Sequence, residues 1–408
     1  MKILFVHQNF PGQYKHLAAE LARNRNNKVY SISEEKPERK LWLKHHNINY
    51  CFYKKPEGAG KNTHRYLEAF EEQVRRGQAV ARICIQLRKI GFIPDIICAH
   101  PGWGEALFLK DVFPEAKLLS FCEFYYGGKS TLNFDPEFSN NEIDSSAKLR
   151  IMNSHLLLSL DACERGISPT RWQHENHPEA YKDKISVIFD GIDTDVAKPE
   201  PSASFKLPDG QILTVKDEVI SFVNRNLEPY RGWHIFCRAL PDILKRRPKA
   251  RIIIVGGDEV SYGTKLPPGK TYKQKYLDEV KPDLSRVHFT GKIPYSNLIS
   301  LFQIAKAHIY LTYPFVLSWS MLEAMSCGCP VIGSRTKPVE EMITDGETGF
   351  LSDFFDSAAL AEKVDNVISD RENSVRIGKN AREFILRNYD LKKVCLPAQM
   401  RLISDILK

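Results

Sequence analysis

Short β-rich apolar runs alternate with helix-patterned stretches along the whole of this 408-residue chain. That alternation restricts the fold more than any other feature, because strands joined through helices run parallel and must be covered on both faces. In the first half the strands are KILFVH, KVYSI, DIICAH, AKLLSF, DACERGIS and ISVIF, separated by helical stretches such as YLEAFEEQVRRGQAVARICIQLRKI. GIDTDVAKPEPSASFKLPDG has linker composition, and after it the pattern restarts with EVISFVN, ARIIIVGG, RVHFTG, AHIYLTY and PVIGS. At about 150 residues per domain, the length accommodates two such sheets. The expected architecture is α/β: two Rossmann-like domains facing a central cleft, at residues 1–195 and 196–385, with a helical segment 386–408 crossing back to the first. Ligands of open parallel sheets sit at the carboxyl ends of the strands, so functional residues are sought there.

Nine cysteines are scattered without CxxC pairs, an odd count that argues against a disulfide framework and for a reducing compartment. MKILFVHQNF reads as a first strand and not as a targeting leader, since its apolar run is short and PGQ follows it. The most apolar stretch, LISLFQIAKAHIYLTYPFVLSW, is interrupted by Lys306, His308 and Pro314 and reads as buried helix, strand and loop, not as a membrane span. The formal net charge of +8 is concentrated: residues 36–89 hold thirteen Lys and Arg against five Glu, which accounts for the whole surplus. Such a run is either a basic patch for anionic lipid headgroups, an anionic substrate or nucleic acid, or a solvated helix face. It lacks the aromatic and basic interleaving that would favour nucleic acid.

Two segments of the second half place polar chemistry at strand ends. In FVNRNLEPYRGW the strand is expected to end at Asn224, leaving Arg225 and Arg231 to project from the loop and the next helix start. Two guanidiniums there form a phosphate clamp, since Arg donates through a planar fork and stays charged; the alternative is pairing with surface carboxylates. In PFVLSWSMLEAM a helix is expected to start near Ser318 to Ser320, with free amides that make an anion site. Glu323 lies about one turn inside that helix, too deep for an N-cap. Its apolar flanks favour a carboxylate that accepts from the vicinal hydroxyls of a ribose or sugar over one that only complements the helix dipole. SCGCPVIGS returns as a strand, with Gly328 at the tight turn.

With these segments in place, the sequence resembles the family 4 glycosyltransferases, retaining enzymes of the GT-B fold, over nearly its whole length. RNLEPYRG is similar to that family's donor-diphosphate element, with Arg225 in the Arg place and Arg231 in the Lys place. FVLSWSMLEAMSCGCPVI is similar to the segment bearing the family's two Glu; Glu323 takes the second, nucleotide-ribose position. Phe315 occupies the first, where most relatives have the Glu that contacts the donor sugar. VIFDGIDTDVAKP, in which Asp190 replaces the usual Asn, and DGETGFL resemble two further family segments. The resemblance also implies a donor-phosphate contact from an amide near Gly12 in HQNFPGQYKHLAAEL, and base recognition by the backbone near Ile293 and Pro294. HPGWGEALFLKDVFP, FCEFYY and NFDPEF resemble the amino-terminal domain of one bacterial subgroup. On that resemblance His100 and Glu123 stand at neighbouring strand ends, Glu123 as the polar group replacing the family's usual His and His100 as an auxiliary contact. The alternatives are a histidine bonded to backbone for His100 and an ion pair for Glu123.

Two other patterns are set aside. Asp193-Thr194-Asp195 spells DxD but lies in the linker, and HENH, His174 to His177, has no complementary ligand pair and is expected at the surface. No metal site is expected. The resemblance implies transfer of a sugar from a nucleotide diphosphate sugar to an acceptor hydroxyl of a glycan, polysaccharide or glycolipid precursor. Anomeric configuration is retained, without metal or cofactor. Arg225, Arg231 and the amides around Trp319 and Ser320 stabilise the leaving diphosphate. The alternatives are a nucleotide-sugar epimerase on the same fold and a catalytically impaired transferase-like binding protein. The expected location is cytoplasmic, with residues 36–89 offering a peripheral contact to an anionic membrane surface.

Overall fold

The structure, a computed structural model, describes residues 1–36, 47–127, 133–139 and 143–408. Arg39, Lys40, Lys44 and Glu38 of the basic run lie outside the described residues. The chain forms two compact units, Met1–Asp190 with Cys395–Lys408, and Gly191–Val394. They divide at 190/191 and 394/395, where the sequence reading places boundaries at 195/196 and 385/386.

The first unit is built on seven parallel strands: β1 (Lys2–Val6), β2 (Lys28–Glu34), β3 (Ile48–Tyr53), β4 (Ile96–Ala99), β5 (Lys117–Phe121), β6 (Arg165–Ser168) and β7 (Ile185–Val187). Their order is β3-β2-β1-β4-β5-β6-β7. The connection reverses direction between β1 and β4, which leaves a crevice at the carboxyl ends of those two strands. Ile3, Leu4, Phe5 and Val6 are all fully buried, as a central strand covered on both faces requires. On one face the 22-residue helix Glu68–Lys89 presents Val80, Cys84 and Leu87, spaced three and four apart, to Leu4, Val6 and Ile97. On the other, Leu17 and Leu21 of helix Lys15–Arg23 share a cluster with Ile403 of the last helix, Leu396–Ile406. The final segment thereby belongs to the first unit's core.

The second unit opens with a short antiparallel pair, β8 (Ser204–Lys206) and β9 (Ile212–Thr214), the first of which falls in the stretch read as linker. Six parallel strands follow: β10 (Val219–Asn226), β11 (Arg251–Gly257), β12 (Val287–Gly291), β13 (Ala307–Tyr310), β14 (Val331–Ser334) and β15 (Phe350–Ser352). Their order is β12-β11-β10-β13-β14-β15, with the reversal between β10 and β13. β3, β8, β9 and β15 are additions to the strands expected. DACERGIS is strand only from Arg165, because Asp161 and Ala162 finish helix Ser154–Ala162. All nine cysteines are unpaired and all but Cys51 are buried. Among the described residues no helix is long and apolar enough to cross a membrane.

Candidate active site

At the reversal point of the second unit, the segment leaving β10 makes a single turn, Pro229–Arg231, closed by Gly232 at φ +67°. A Cβ at residue 232 would stand 2.3 Å from Leu311 Cβ, so glycine is required there twice over, by backbone conformation and by space. This turn drives Arg231 inward. Its side chain does not project as expected: it is 5% exposed, and Nη1 donates to Thr312 Oγ1 at 2.8 Å and to the Tyr310 hydroxyl at 3.4 Å. The guanidinium carbon lies 5.1 Å from the Tyr262 ring centre and 5.8 Å from that of Phe315. Burial opposes its charge, but Tyr310, Tyr262 and Glu228 hold the guanidinium above its ordinary range. The Glu228 carboxylate is itself committed, accepting from the amides of Ser261, Tyr262 and Gly263 at 3.0, 3.1 and 3.2 Å. A buried cation whose direct contacts are neutral hydroxyls and ring faces is a place prepared for an anion.

Arg225 differs. Strand β10 continues through it to Asn226, with an irregular register against β11 between Val223 and Asn226, and the side chain is exposed. Helix Trp319–Ser326 follows β13, with Ser318 as N-cap, its Oγ accepting from Ser320 N at 3.4 Å. Ser318 N in turn donates to the Tyr310 hydroxyl at 2.7 Å. Two of the amides expected to be free are therefore already engaged, Ser320 N by the serine N-cap and Ser318 N by the Tyr310 hydroxyl. Trp319 is 41% exposed and Ser320 is 6% exposed. Glu323, the fifth residue of the helix, is 7% exposed. It accepts from the hydroxyl of Tyr295, whose phenol is pushed up by burial and by this carboxylate. Tyr295 opens helix Tyr295–Ile304 directly after half-buried Ile293 and exposed Pro294, so those two residues border the segment that holds Glu323. Phe315 is buried among Tyr262 and Tyr230, with ring centres at 4.9 and 5.6 Å, and it offers no acceptor to a sugar.

In the first unit the reversal point brings together residues following β1, β4 and β5. His7 Nδ1 accepts from Asn9 N at 2.8 Å, which leaves the hydrogen on Nε2 to meet Gln13 Oε1 at 2.7 Å. Gln13 Nε2 then donates to Glu123 Oε1 at 2.6 Å. From the other side, His100 Nδ1 accepts from Gly102 N at 3.1 Å, and its Nε2 faces Glu123 Oε2 at 3.4 Å. Burial works to raise the Glu123 carboxyl, yet His100, Gln13 and His7 hold it below the usual glutamate range. Both histidines are 2% exposed, whereas the Glu123 side chain is 26% exposed. His100 thus lies behind Glu123 and does not stand beside it as a second contact; its bond to backbone is the alternative the sequence left open. Gly12, at φ +46°, lies against His7, whose ring would be 2.5 Å from a Cβ there.

Sequence reasoning missed His7 and Gln13, as it missed Thr312, Tyr310 and Tyr295. It also missed Glu105, which is fully buried, accepts from the Tyr53 hydroxyl at 2.6 Å, and is raised by its burial. The spacing of HQNFPGQ carried the only available cue to the first two: a polar run directly after a fully buried strand. Asp193 and Asp195 sit 3.5 and 2.6 Å from Lys392 Nζ. His177 is buried, not superficial, with Nδ1 bonded to Gln173 O at 2.9 Å, and His174 Nε2 meets Lys182 O at 3.1 Å. Among the described residues no group of three or more His, Cys, Asp or Glu could hold a metal ion.

Residues 25–197 match the family model described as "Glycosyl transferase family 4 group", and residues 207–384 match that described as "Glycosyl transferases group 1". The chain is a group 1 glycosyltransferase of family 4. Among the relatives of this glycosyltransferase is D-inositol 3-phosphate glycosyltransferase of Corynebacterium efficiens, 27% identical over 211 residues, which is 51% of this chain and 48% of that protein. Another is the GDP-mannose-dependent alpha-(1-6)-phosphatidylinositol monomannoside mannosyltransferase of Mycolicibacterium smegmatis, 27% identical over 49% of this chain and 51% of its own. The chain thus spans about half the length of the curated relatives it matches. Anabaena HepE in complex with UDP-glucose superposes with a TM-score of 0.71 at 18% identity, covering 99% of this chain and 100% of that one. Sucrose-phosphate synthase of Thermosynechococcus elongatus gives 0.69 at 15% identity, covering 100% and 99%. These likenesses give the fold: two parallel-sheet α/β units of the GT-B type.

Proposed function

We propose that this glycosyltransferase moves a sugar from a nucleotide diphosphate sugar to an acceptor hydroxyl with retention of anomeric configuration. The observation that carries the reading is Arg231, a buried guanidinium held by Thr312 and Tyr310 where strands β10 and β13 diverge. Departure of the leaving group builds negative charge on the diphosphate, and a cation already in place stabilises that charge without reorganisation. Arg225 adds an exposed second cation, and the hydroxyls and amides around Ser318, Trp319 and Ser320 add dipoles. Glu323, oriented by Tyr295, accepts from the nucleoside ribose, and the backbone at Ile293 and Pro294 borders the base. The departing phosphate takes the acceptor proton in a front-side substitution, so no nucleophilic side chain is required. Glu123 accepts from a hydroxyl of the acceptor or of the donor sugar.

Relatives named for inositol 3-phosphate and for a phosphatidylinositol mannoside support an acceptor that is a polyol or sugar, and the HepE complex supports UDP-glucose as one donor to test. The basic run divides in two. Arg75 pairs with Glu71 at 2.5 Å and Arg65 with Asp144 at 2.6 Å, whereas Arg82 and Lys89 are exposed with Ile85, Ile90 and Ile93. That second face is the surface we assign to anionic headgroups on the inner side of the cytoplasmic membrane. Liposome flotation checks it: binding only to anionic vesicles supports it, and equal recovery with neutral ones removes it.

A thermal-shift panel of UDP, GDP, ADP and their sugars tests the reading, since a ligand bound only by the native state raises the melting temperature. One nucleoside diphosphate is expected to give a clear shift that Arg231→Ala abolishes; no shift with any of them would sink the proposal. Phe315 favours one rival, a binding protein without turnover, because its buried ring cannot hydrogen-bond a donor sugar. Acceptor-dependent release of nucleotide separates the two.

A further inference from the structure

Glu123 is reached by a hydrogen-bond chain on one side and approached by a histidine ring on the other, and each is anchored on a backbone amide. On one side the Asn9 amide fixes the His7 tautomer, His7 fixes which end of the Gln13 amide faces inward, and Gln13 therefore presents its NH2 to Glu123 Oε1. On the other the Gly102 amide fixes His100, whose Nε2 hydrogen faces Oε2. A third tie, Gln173 Nε2 to the Glu123 carbonyl at 2.5 Å, comes from helix Arg171–Glu175 and fixes the backbone. In each histidine Nδ1 accepts from a backbone N–H, so the ring hydrogen sits on Nε2, the nitrogen turned toward Gln13 in one case and toward Glu123 in the other. Between the two histidines, which are buried, the Glu123 carboxylate is partly exposed.

We propose that His7 and Gln13 are positioning residues that hold the Glu123 carboxylate aimed as a hydrogen-bond acceptor for a substrate hydroxyl. The assignment deepens the transferase reading and rests on it for the identity of the ligand, but not for the chain of bonds. The groups that face the carboxylate are His100, Gln13 and, through Gln13, His7. Glu105 stands further back, near His100.

The test is the titration of Glu123 in the full chain. Glutamate-selective 13C labelling gives its carboxyl resonance, assigned by its loss in Glu123→Gln. In the wild type it is expected to titrate below ordinary glutamate. Gln13→Glu turns the donor into a second carboxylate and is expected to raise the midpoint by about one unit or more. Gln13→Met removes the donor alone and is expected to raise it less. The acid limb of kcat/KM for the acceptor should move with the resonance, while nucleotide affinity stays unchanged. An unmoved midpoint in Gln13→Met, with wild-type melting, overturns the proposal even if Gln13→Glu does not fold; so does a moved midpoint with an unmoved acid limb. Because the resonance needs no turnover, its result stands apart from failure of the nucleotide panel, which would remove the transferase reading instead.

Discussion

Arg231 Nη1 donates to Thr312 Oγ1 at 2.8 Å, joining the turn after β10 to the segment after β13 through a buried cation. Arg231→Ala should lower kcat/KM for the donor by about 100-fold or more, the range for losing a charge-assisted contact that strengthens in the transition state. Arg231→Lys should recover little, because a compact ammonium does not reproduce the planar guanidinium that lies over the Tyr262 and Phe315 rings. Steady-state kinetics of both variants check this.

Arg225 is exposed, so its contribution should be screened. Arg225→Ala is expected to leave the melting temperature unchanged and to weaken donor binding by roughly tenfold at low salt, with a smaller loss at high salt. Titration calorimetry at two ionic strengths measures it.

Buried histidines make the fold acid-sensitive. Burial pushes His308, beside Ser221 Oγ at 3.0 Å, down to about 3, and pushes His155 and His177 down to about 4. Each is neutral when folded and takes up a proton near pH 6.5 when unfolded. The unfolded chain therefore binds more protons between the two values, and stability falls as pH drops from about 6.5 toward 4, by about 1.4 kcal/mol per unit for each group. Urea midpoints across that range should decline, with a shallower slope in His308→Gln.

Gly232→Ala would place a Cβ 2.3 Å from Leu311 Cβ at φ +67°. Its melting temperature should fall by roughly 5–10 °C, with nucleotide binding weakened at temperatures where the variant is folded, since the turn that aims Arg231 is displaced. Differential scanning calorimetry gives the first value and calorimetric titration the second.

Lys392 holds Asp193 and Asp195, and the charge of the leaving group is assigned to Arg231, so chelation should not matter. Turnover after exhaustive treatment with a chelator is expected to equal that of the untreated enzyme, and Asp195→Asn should leave it unchanged. A loss restored by a divalent cation would contradict the assignment.

The parallel sheets were legible because central strands such as IIIV of β11 are buried on both faces and read as unbroken apolar runs. β3 was not, since as an edge strand it is half-exposed through Asn49 to Phe52 and carries no such run; β15 is three residues long. Glu323 stood out because a carboxylate inside an apolar helix needs a partner, but Tyr295, which is that partner, could not be picked from the many tyrosines of the chain. Gln13 and Glu123 lie 110 residues apart, and Arg231 and Thr312 lie 81 apart, so neither pair has a local signature. Arg231 was found as a residue yet misplaced as a projecting one, because the inward turn depends on the close approach of Gly232 and Leu311.

A crystal structure of the chain with a sugar nucleotide tests the central claim most directly. The expected result is a diphosphate oxygen within hydrogen-bond reach of Arg231, drawn partly away from Thr312, with a ribose hydroxyl on Glu323. A nucleotide bound elsewhere, with Arg231 still on Thr312 and Tyr310 and Glu323 still closed by Tyr295, would contradict it.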